Sequence, residues 1–349
     1  MRYNLFGRSG LRVSELALGT GTFGTRWGRG SDPAESRAVF DRYAEAGGNF
    51  VDTADVYQFG ESEEILADLL AADRDHFVLG TKFTGGADPK GGVSRTGNSR
   101  KNIVRSLEDS LRRLRTDRVD LYWAHMSDGM TPVDEVIRAL DDLVTAGKVL
   151  YVGLSDFPAW RAARAATLAE LRSWAPVTGL QVEYSLAERT AERELLPMAE
   201  GLGMGVTLWS PLGGGLLTGK QRRGEQGRHD AGGGPVRTEG ERETAILDAV
   251  EAAAAETGAT PAQVAIAWVR ARGATTGTAM VPILGARTVE QLGDNLGALD
   301  LALEDEHLAR LDAVSAVPPG FPHEMLGAAQ VRQMVRGGAE ITGADRPVA

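Results

Sequence analysis

Three polar residues each close an apolar run, Asp52 at the end of NFVD, Lys82 at the end of HFVLGTK and His125 at the end of RVDLYWAH, and Tyr57 follows Asp52 by five positions. A carboxylate, an ammonium, an imidazole and a phenol together can donate, accept and stabilise protons. Each has an ordinary reading as well: Asp52 as a turn cap, Tyr57 as a partly buried aromatic, Lys82 as a snorkelling side chain, His125 as a ring satisfied by a backbone carbonyl. Their joint placement weighs against four separate coincidences, because burying three titratable groups beside a phenol is costly unless they pair. An enzyme is the expectation.

Side chains drawn from such distant parts of the chain need a framework that collects strand ends. Two short segments, residues 2–6 and 11–14, flank GRSG and predict a hairpin. A strand and helix rhythm follows. LALG, NFVD, FVLGTK, VDLYWAH, KVLYVGLS, TGLQVE, GMGVTLWS and TAMVPIL read as strands. Between them AESRAVFDRYAEAG, ESEEILADLL, SRKNIVRSLEDSLRRL and the segments 132–145, 159–171, 192–200, 242–256 and 261–272 carry helical spacing, with TVEQLGDNLGAL after the last strand. Eight such units predict an α/β fold, a closed (β/α)8 TIM barrel, over an open nucleotide-binding sheet, since no unit opens with GxGxxG. We expect one domain over residues 1–349, with the hairpin in 1–15, the barrel repeat in 16–299, and a C-terminal helix and tail in 300–349. The polar, glycine-rich stretch 221–240 is expected to be a loop that a ligand could order.

Composition narrows the class. The chain has 349 residues, 42% hydrophobic and 25% charged, which suits a folded globular protein. Acids outnumber bases 48 to 38, so the net charge of -10 disfavours a general binder of nucleic acid or of anionic membranes. There is no cysteine, hence no disulfide, thiol nucleophile or thiolate metal site. The five histidines are dispersed and suggest no compact metal-ligand set. The first residues carry charge throughout, and no uncharged run approaches the roughly 20 residues that span a bilayer, so the expectation is a cytoplasmic protein without membrane insertion.

The segments NFVDTADVY, VLGTKF, SRKNIVRSLEDSLRRLRTDRVDLYWAH, VGLS, QVEYSL, LWSPLGGGLLTGK and VPILGARTVEQLGDNLGAL, in this order, resemble the aldo-keto reductase superfamily from the hairpin to about Leu299. The resemblance implies a catalytic tetrad of Asp52, Tyr57, Lys82 and His125, and reduction of an aldehyde or ketone by NADPH. The chemistry is coherent. Hydride arriving at a carbonyl carbon leaves negative charge on oxygen, which needs a nearby donor and finally a proton. Tyr57 would be that acid, with Lys82 expected to lower its pKa, Asp52 to hold Lys82, and His125 to aim at the substrate oxygen.

The same resemblance assigns Ser155, Asp156 and Gln181 to the nicotinamide carboxamide and Trp209 to the ring face. Asp156 departs from the family, which more often has asparagine there; an ionised carboxylate can accept from the carboxamide nitrogen but cannot donate to its oxygen. Ser210, Leu212 and Gly214 would follow the pyrophosphate. SPLGGGLLTGK has Walker-like spacing, yet Gln221 stands where a phosphate loop needs serine or threonine. Arg287 would take the adenosine 2′-phosphate through its guanidinium fork, with Gln291 and Asn295 beside it on one side of the following helix; this favours NADP over NAD.

Trp27 and Phe59 are the better candidates for the substrate mouth, since Tyr122 and Trp123 must point to opposite faces of their strand. Ser127, where related chains often carry a larger residue, would widen the pocket, placing aromatic aldehydes and compact ketones ahead of sugars. A different class also stays open: a cofactor-sensing regulatory subunit, as in channel-associated proteins of this fold, could retain the same four residues. No protein partner is specified by the sequence.

Overall fold

A computed structural model describes residues 1–225 and 239–342. The antiparallel hairpin of β1 (Tyr3–Leu5) and β2 (Arg12–Ser14) comes first. Eight parallel strands then close a barrel in chain order: β3 (Ala17–Gly19), β4 (Phe50–Asp52), β5 (Val78–Phe83), β6 (Val119–Ala124), β7 (Val149–Ser155), β8 (Val177–Glu183), β9 (Gly205–Trp209) and β10 (Met280–Gly285), which returns to β3. The helices outside them are α1 (Pro33–Glu45), α2 (Glu61–Leu70), α3 (Arg100–Leu114), α4 (Val133–Thr145), α5 (Ala159–Arg172), α6 (Leu195–Leu202), α7 (Glu241–Thr257), α8 (Pro261–Gly273) and α9 (Val289–Leu296). A C-terminal extension adds α10 (Asp305–Ser315), α11 (His323–Gly327) and α12 (Ala329–Val335). This is the barrel, hairpin and extension expected from the sequence.

Local chemistry sets the element ends. Asp32 accepts from Glu35 N at 2.9 Å and Pro33 occupies the first helical turn, so α1 begins there. Ser99 caps α3, whose Ile103, Leu107, Leu111 and Leu114 bury one face against the barrel. Thr260 and Gln263 form a reciprocal capping box at the start of α8.

Two expectations shift. The helix expected over 192–200 starts only at Leu195, after a 3-10 turn at Thr190–Glu192. Glu192 is taken out of the helix because its carboxylate accepts from Tyr184 Oη at 2.5 Å and Arg189 Nε at 2.8 Å. The expected tail contains α11 and α12, neither of which buries a residue. Most of the glycine-rich stretch, residues 226–238, lies outside the described residues.

The hairpin plugs the floor of the barrel. Phe6 is fully buried and meets Phe50 edge-on at 5.6 Å and Trp123 at 6.5 Å. These rings need space that only glycine leaves: a Cβ on Gly153 would stand 2.2 Å from Trp123, and one on Gly205 2.5 Å from Phe6. The opposite end, where the strands terminate, is left for chemistry.

Candidate active site

Lys82 rises inside the barrel from β5 with its side chain fully buried. Its ammonium donates to Asp52 Oδ2 at 2.5 Å, to Thr53 O at 2.8 Å and to Tyr57 Oη at 3.3 Å, which uses all three of its protons. Burial would depress the lysine, but the adjacent Asp52 carboxylate and the Tyr57 hydroxyl override it, and the pKa stands above the ordinary lysine value. Asp52 is satisfied from the other side by Gln181 Nε2, 3.0 Å from Oδ1. An ionised carboxylate only accepts, so the amide nitrogen of Gln181 faces it; that nitrogen also reaches Thr207 Oγ1 at 3.0 Å.

Tyr57 follows a tight turn closed by its own N–H to Ala54 O, while Asp55 N–H bonds Lys82 O. Gln58 and Phe59 then take left-handed φ values of 51° and 54°, turning the chain sharply before α2. The phenol lies with its ring centroid 4.9 Å from Lys82 Nζ and 5.8 Å, edge-on, from the His125 ring. Its pKa differs from the expected lowering. Burial pushes the phenol up and the Asp52 charge adds to that, and Lys82 offsets only part of the rise. The proton therefore stays on Tyr57 at neutral pH.

His125 is placed by its N–H to Phe83 O at 3.1 Å. Burial and the nearby Lys82 charge push its pKa down to about 3, so the imidazole is neutral. Its buried Nδ1 has no hydrogen-bond partner. Asp52, Tyr57 and His125 line a cavity of about 710 Å³ at the strand ends, with Lys82 buried behind them.

A sequence profile of the Aldo/keto reductase family matches residues 15–316. The chain belongs to the aldo/keto reductase family. Among its relatives, an uncharacterized oxidoreductase, YrpG, of Bacillus subtilis is 39% identical over 329 residues, spanning 92% of this chain and 98% of its own. Norsolorinic acid reductase of Aspergillus flavus is 35% identical over 91% of this chain and 82% of its own. An aryl-alcohol dehydrogenase [NADP(+)] of Phanerodontia chrysosporium is 34% identical over 91% and 86%.

In this aldo/keto reductase the cavity wall also contains Ser155, Asp156, Gln181, Trp209, Ser210, Leu212, Gly214, Arg287, Gln291, Asn295 and Trp27. Ser155 Oγ is buried without a partner. Asp156 sits at φ 50° and accepts from Trp209 Nε1 at 3.1 Å. Its side chain is exposed to the open cavity, yet the protein packed around it raises the carboxyl to about 6 against the pull of the indole N–H. Ser210, at φ 58°, accepts from Gly214 N at 3.0 Å and so shapes the glycine turn. Gln291 and Asn295 lie on α9, whereas Arg287 precedes its cap Thr288; Gln291 Oε1 ties the two by accepting from Arg287 N at 3.0 Å.

Two expected mouth residues stand elsewhere. Phe59 is outside the cavity wall and packs edge-on behind Trp27 at 6.2 Å. Ser127 also lies off the wall, where Arg161 Nη1 donates to its hydroxyl at 2.9 Å. Conversely, sequence reasoning passed over Gln58, which lines the cavity and fixes the Trp27 loop by accepting from Trp27 N at 2.8 Å and donating to Arg29 O at 3.0 Å. It also passed over the wall residues Arg29 and Arg223 and took Lys220 only as part of a false phosphate loop. The basic run KQRR after the glycines was the available signal for Lys220 and Arg223. Among the described residues no group of three or more His, Asp or Glu side chains could hold a metal ion, and no helix is long and apolar enough to cross a membrane.

Proposed function

We propose that this aldo/keto reductase reduces an aldehyde or ketone with NADPH, and that Tyr57 gives the proton. The observation that carries the reading is the Tyr57 hydroxyl, 3.3 Å from a buried ammonium that Asp52 holds, in the wall of a large cavity. When bound, the dinucleotide supplies the hydride. Charge growing on the carbonyl oxygen is met by the Tyr57 O–H, and Lys82 stabilises the phenolate left behind. Neutral His125 orients the same oxygen. Asp52, itself braced by Gln181, keeps Lys82 protonated and aimed.

The rest of the wall fits a nicotinamide dinucleotide. The orphaned Ser155 hydroxyl, Asp156 and the free amide oxygen of Gln181 suit the carboxamide, and the Trp209 indole offers a flat face for the ring. Ser210, Leu212 and Gly214 suit the pyrophosphate. Arg287, with Gln291 and Asn295, suits the adenosine end and its 2′-phosphate. Lys220 and Arg223 add positive charge to the same wall. The names of two relatives, a norsolorinic acid reductase and an aryl-alcohol dehydrogenase, together with Trp27 beside Tyr57, favour aromatic carbonyls over sugars. We place the protein in the cytoplasm.

The test is NADPH consumption by the purified chain against aromatic aldehydes, compact ketones and sugars. Turnover of aromatic aldehydes is expected. Tight NADPH binding without turnover of any carbonyl would replace this reading with the cofactor-sensing regulatory one.

A further inference from the structure

Asp156 brings a titratable carboxyl to a cavity in which Asp52, Lys82 and Tyr57 are already bound to one another. Its Oδ1 is fixed by Trp209 Nε1, and its backbone N–H by Gln181 O at 3.0 Å, so the side chain is held in place on the wall between β7 and β9. Its charge reaches the reacting centre: it raises the Tyr57 phenol, and Lys82 in turn favours its ionised form. Any carbon that exchanges hydride with a substrate held by Tyr57 must lie in the cavity whose wall Tyr57 and Asp156 share. The two redox forms of a nicotinamide differ there by one formal charge, since the oxidised ring is a cation and the reduced ring is neutral. A fixed anion on the wall of that cavity therefore favours the oxidised form over the reduced one.

Resting on the reading of the cavity as an NADP site, we infer that the Asp156 carboxylate makes this enzyme select the oxidised over the reduced dinucleotide. An asparagine in its place would keep the indole contact and lose the selection. The consequence is directional: in carbonyl reduction NADP+ leaves slowly, and in alcohol oxidation it is captured at low concentration. The charged groups that act on the carboxyl are Lys82 from β5 and Glu183 at the end of β8, and Tyr57 feels its charge in turn, while Asp52 and neutral His125 share the cavity wall with it. Because burial raises the carboxyl to about 6, selection should be full at pH 8 and fade at pH 5.

The experiment measures Kd for NADP+, NADPH and 2′,5′-ADP by calorimetry on the native chain and on Asp156→Asn. The 2′-phosphate is common to all three, so its own titration cancels in the NADPH to NADP+ ratio. That ratio should fall about tenfold in the variant at pH 8, a change of roughly 1.4 kcal/mol, while 2′,5′-ADP binding stays the same. A fall of less than twofold overturns the inference, and any larger fall sustains it. Should the variant not fold, the native ratio at pH 5 against pH 8 decides by the same limits. If neither dinucleotide nor 2′,5′-ADP binds the native chain, it is the NADP reading that has failed.

Discussion

Lys82 on β5 and Trp123 on β6 are register partners, both fully buried inside the same barrel, and their surroundings could hardly differ more. Trp123 belongs to an apolar cluster with Phe6, Phe50, Leu121 and Val281, packed so closely that the strands beside it carry glycine. Lys82 enters a polar network of Asp52, Thr53, Tyr57 and Gln181. The apolar layer resists changes of volume, whereas the polar layer resists loss of a partner. Damage to the two should therefore be told apart by what it moves, stability alone in the apolar layer and chemistry together with stability in the polar one.

Lys82→Met is the severest break on the polar side. It leaves the Asp52 carboxylate buried without its cation, at a cost of about 3–5 kcal/mol to folding, and carbonyl turnover should drop by roughly 1000-fold or more. Thermal unfolding and steady-state rates measure the two effects. On the apolar side, Phe6→Ala should cost about 3–5 kcal/mol in denaturant unfolding while turnover per folded molecule is kept. A large loss of turnover per folded molecule there would blur the division between the layers.

Smaller effects sharpen it. Arg287→Ala should raise the Kd for NADPH about tenfold, some 1.4 kcal/mol, and leave NADH almost unmoved; equal losses for both would remove the phosphate contact. Asp55 probes the backing of the polar layer. It is buried with Oδ1 unpartnered, and burial with the Glu63 charge raises it to about 7, partly offset by Arg113. The unfolded carboxyl ionises near 3.8, so between that pH and about 7 the native state binds more protons, and stability is lost as pH rises through this window. Asp55→Asn should flatten that part of the stability profile. An unchanged slope would mean that Asp55 is not the group responsible.

Much of this arrangement was legible in the sequence because buried parallel strands read as apolar runs and their polar closing residues stand out. Asp52, Lys82 and His125 could be found that way, and Tyr57 through its spacing from Asp52. Side-chain bonds between distant strands leave no such trace. Nothing local to Gln181 shows that its nitrogen is committed to Asp52 and Thr207, and nothing around Ser127 reveals the hydrogen bond from Arg161. Phe59 is turned away by a left-handed pair of backbone angles at residues that do not signal them. The start of α6 moved for a similar reason, since Glu192 follows helical spacing but serves Tyr184 and Arg189 instead. The direction of the Tyr57 shift needed the depth of burial, which pattern alone does not supply.

The central claim is that the Tyr57 hydroxyl, beside Lys82, is the acid of the reaction. Its most direct test is single-turnover reduction of an aromatic aldehyde by Tyr57→Phe already loaded with NADPH, next to the native chain. The hydride step should slow by about 1000-fold, roughly 4 kcal/mol, with the Kd for NADPH held within twofold. A hydride step within tenfold of the native rate would contradict the claim and move the proton source elsewhere in the cavity.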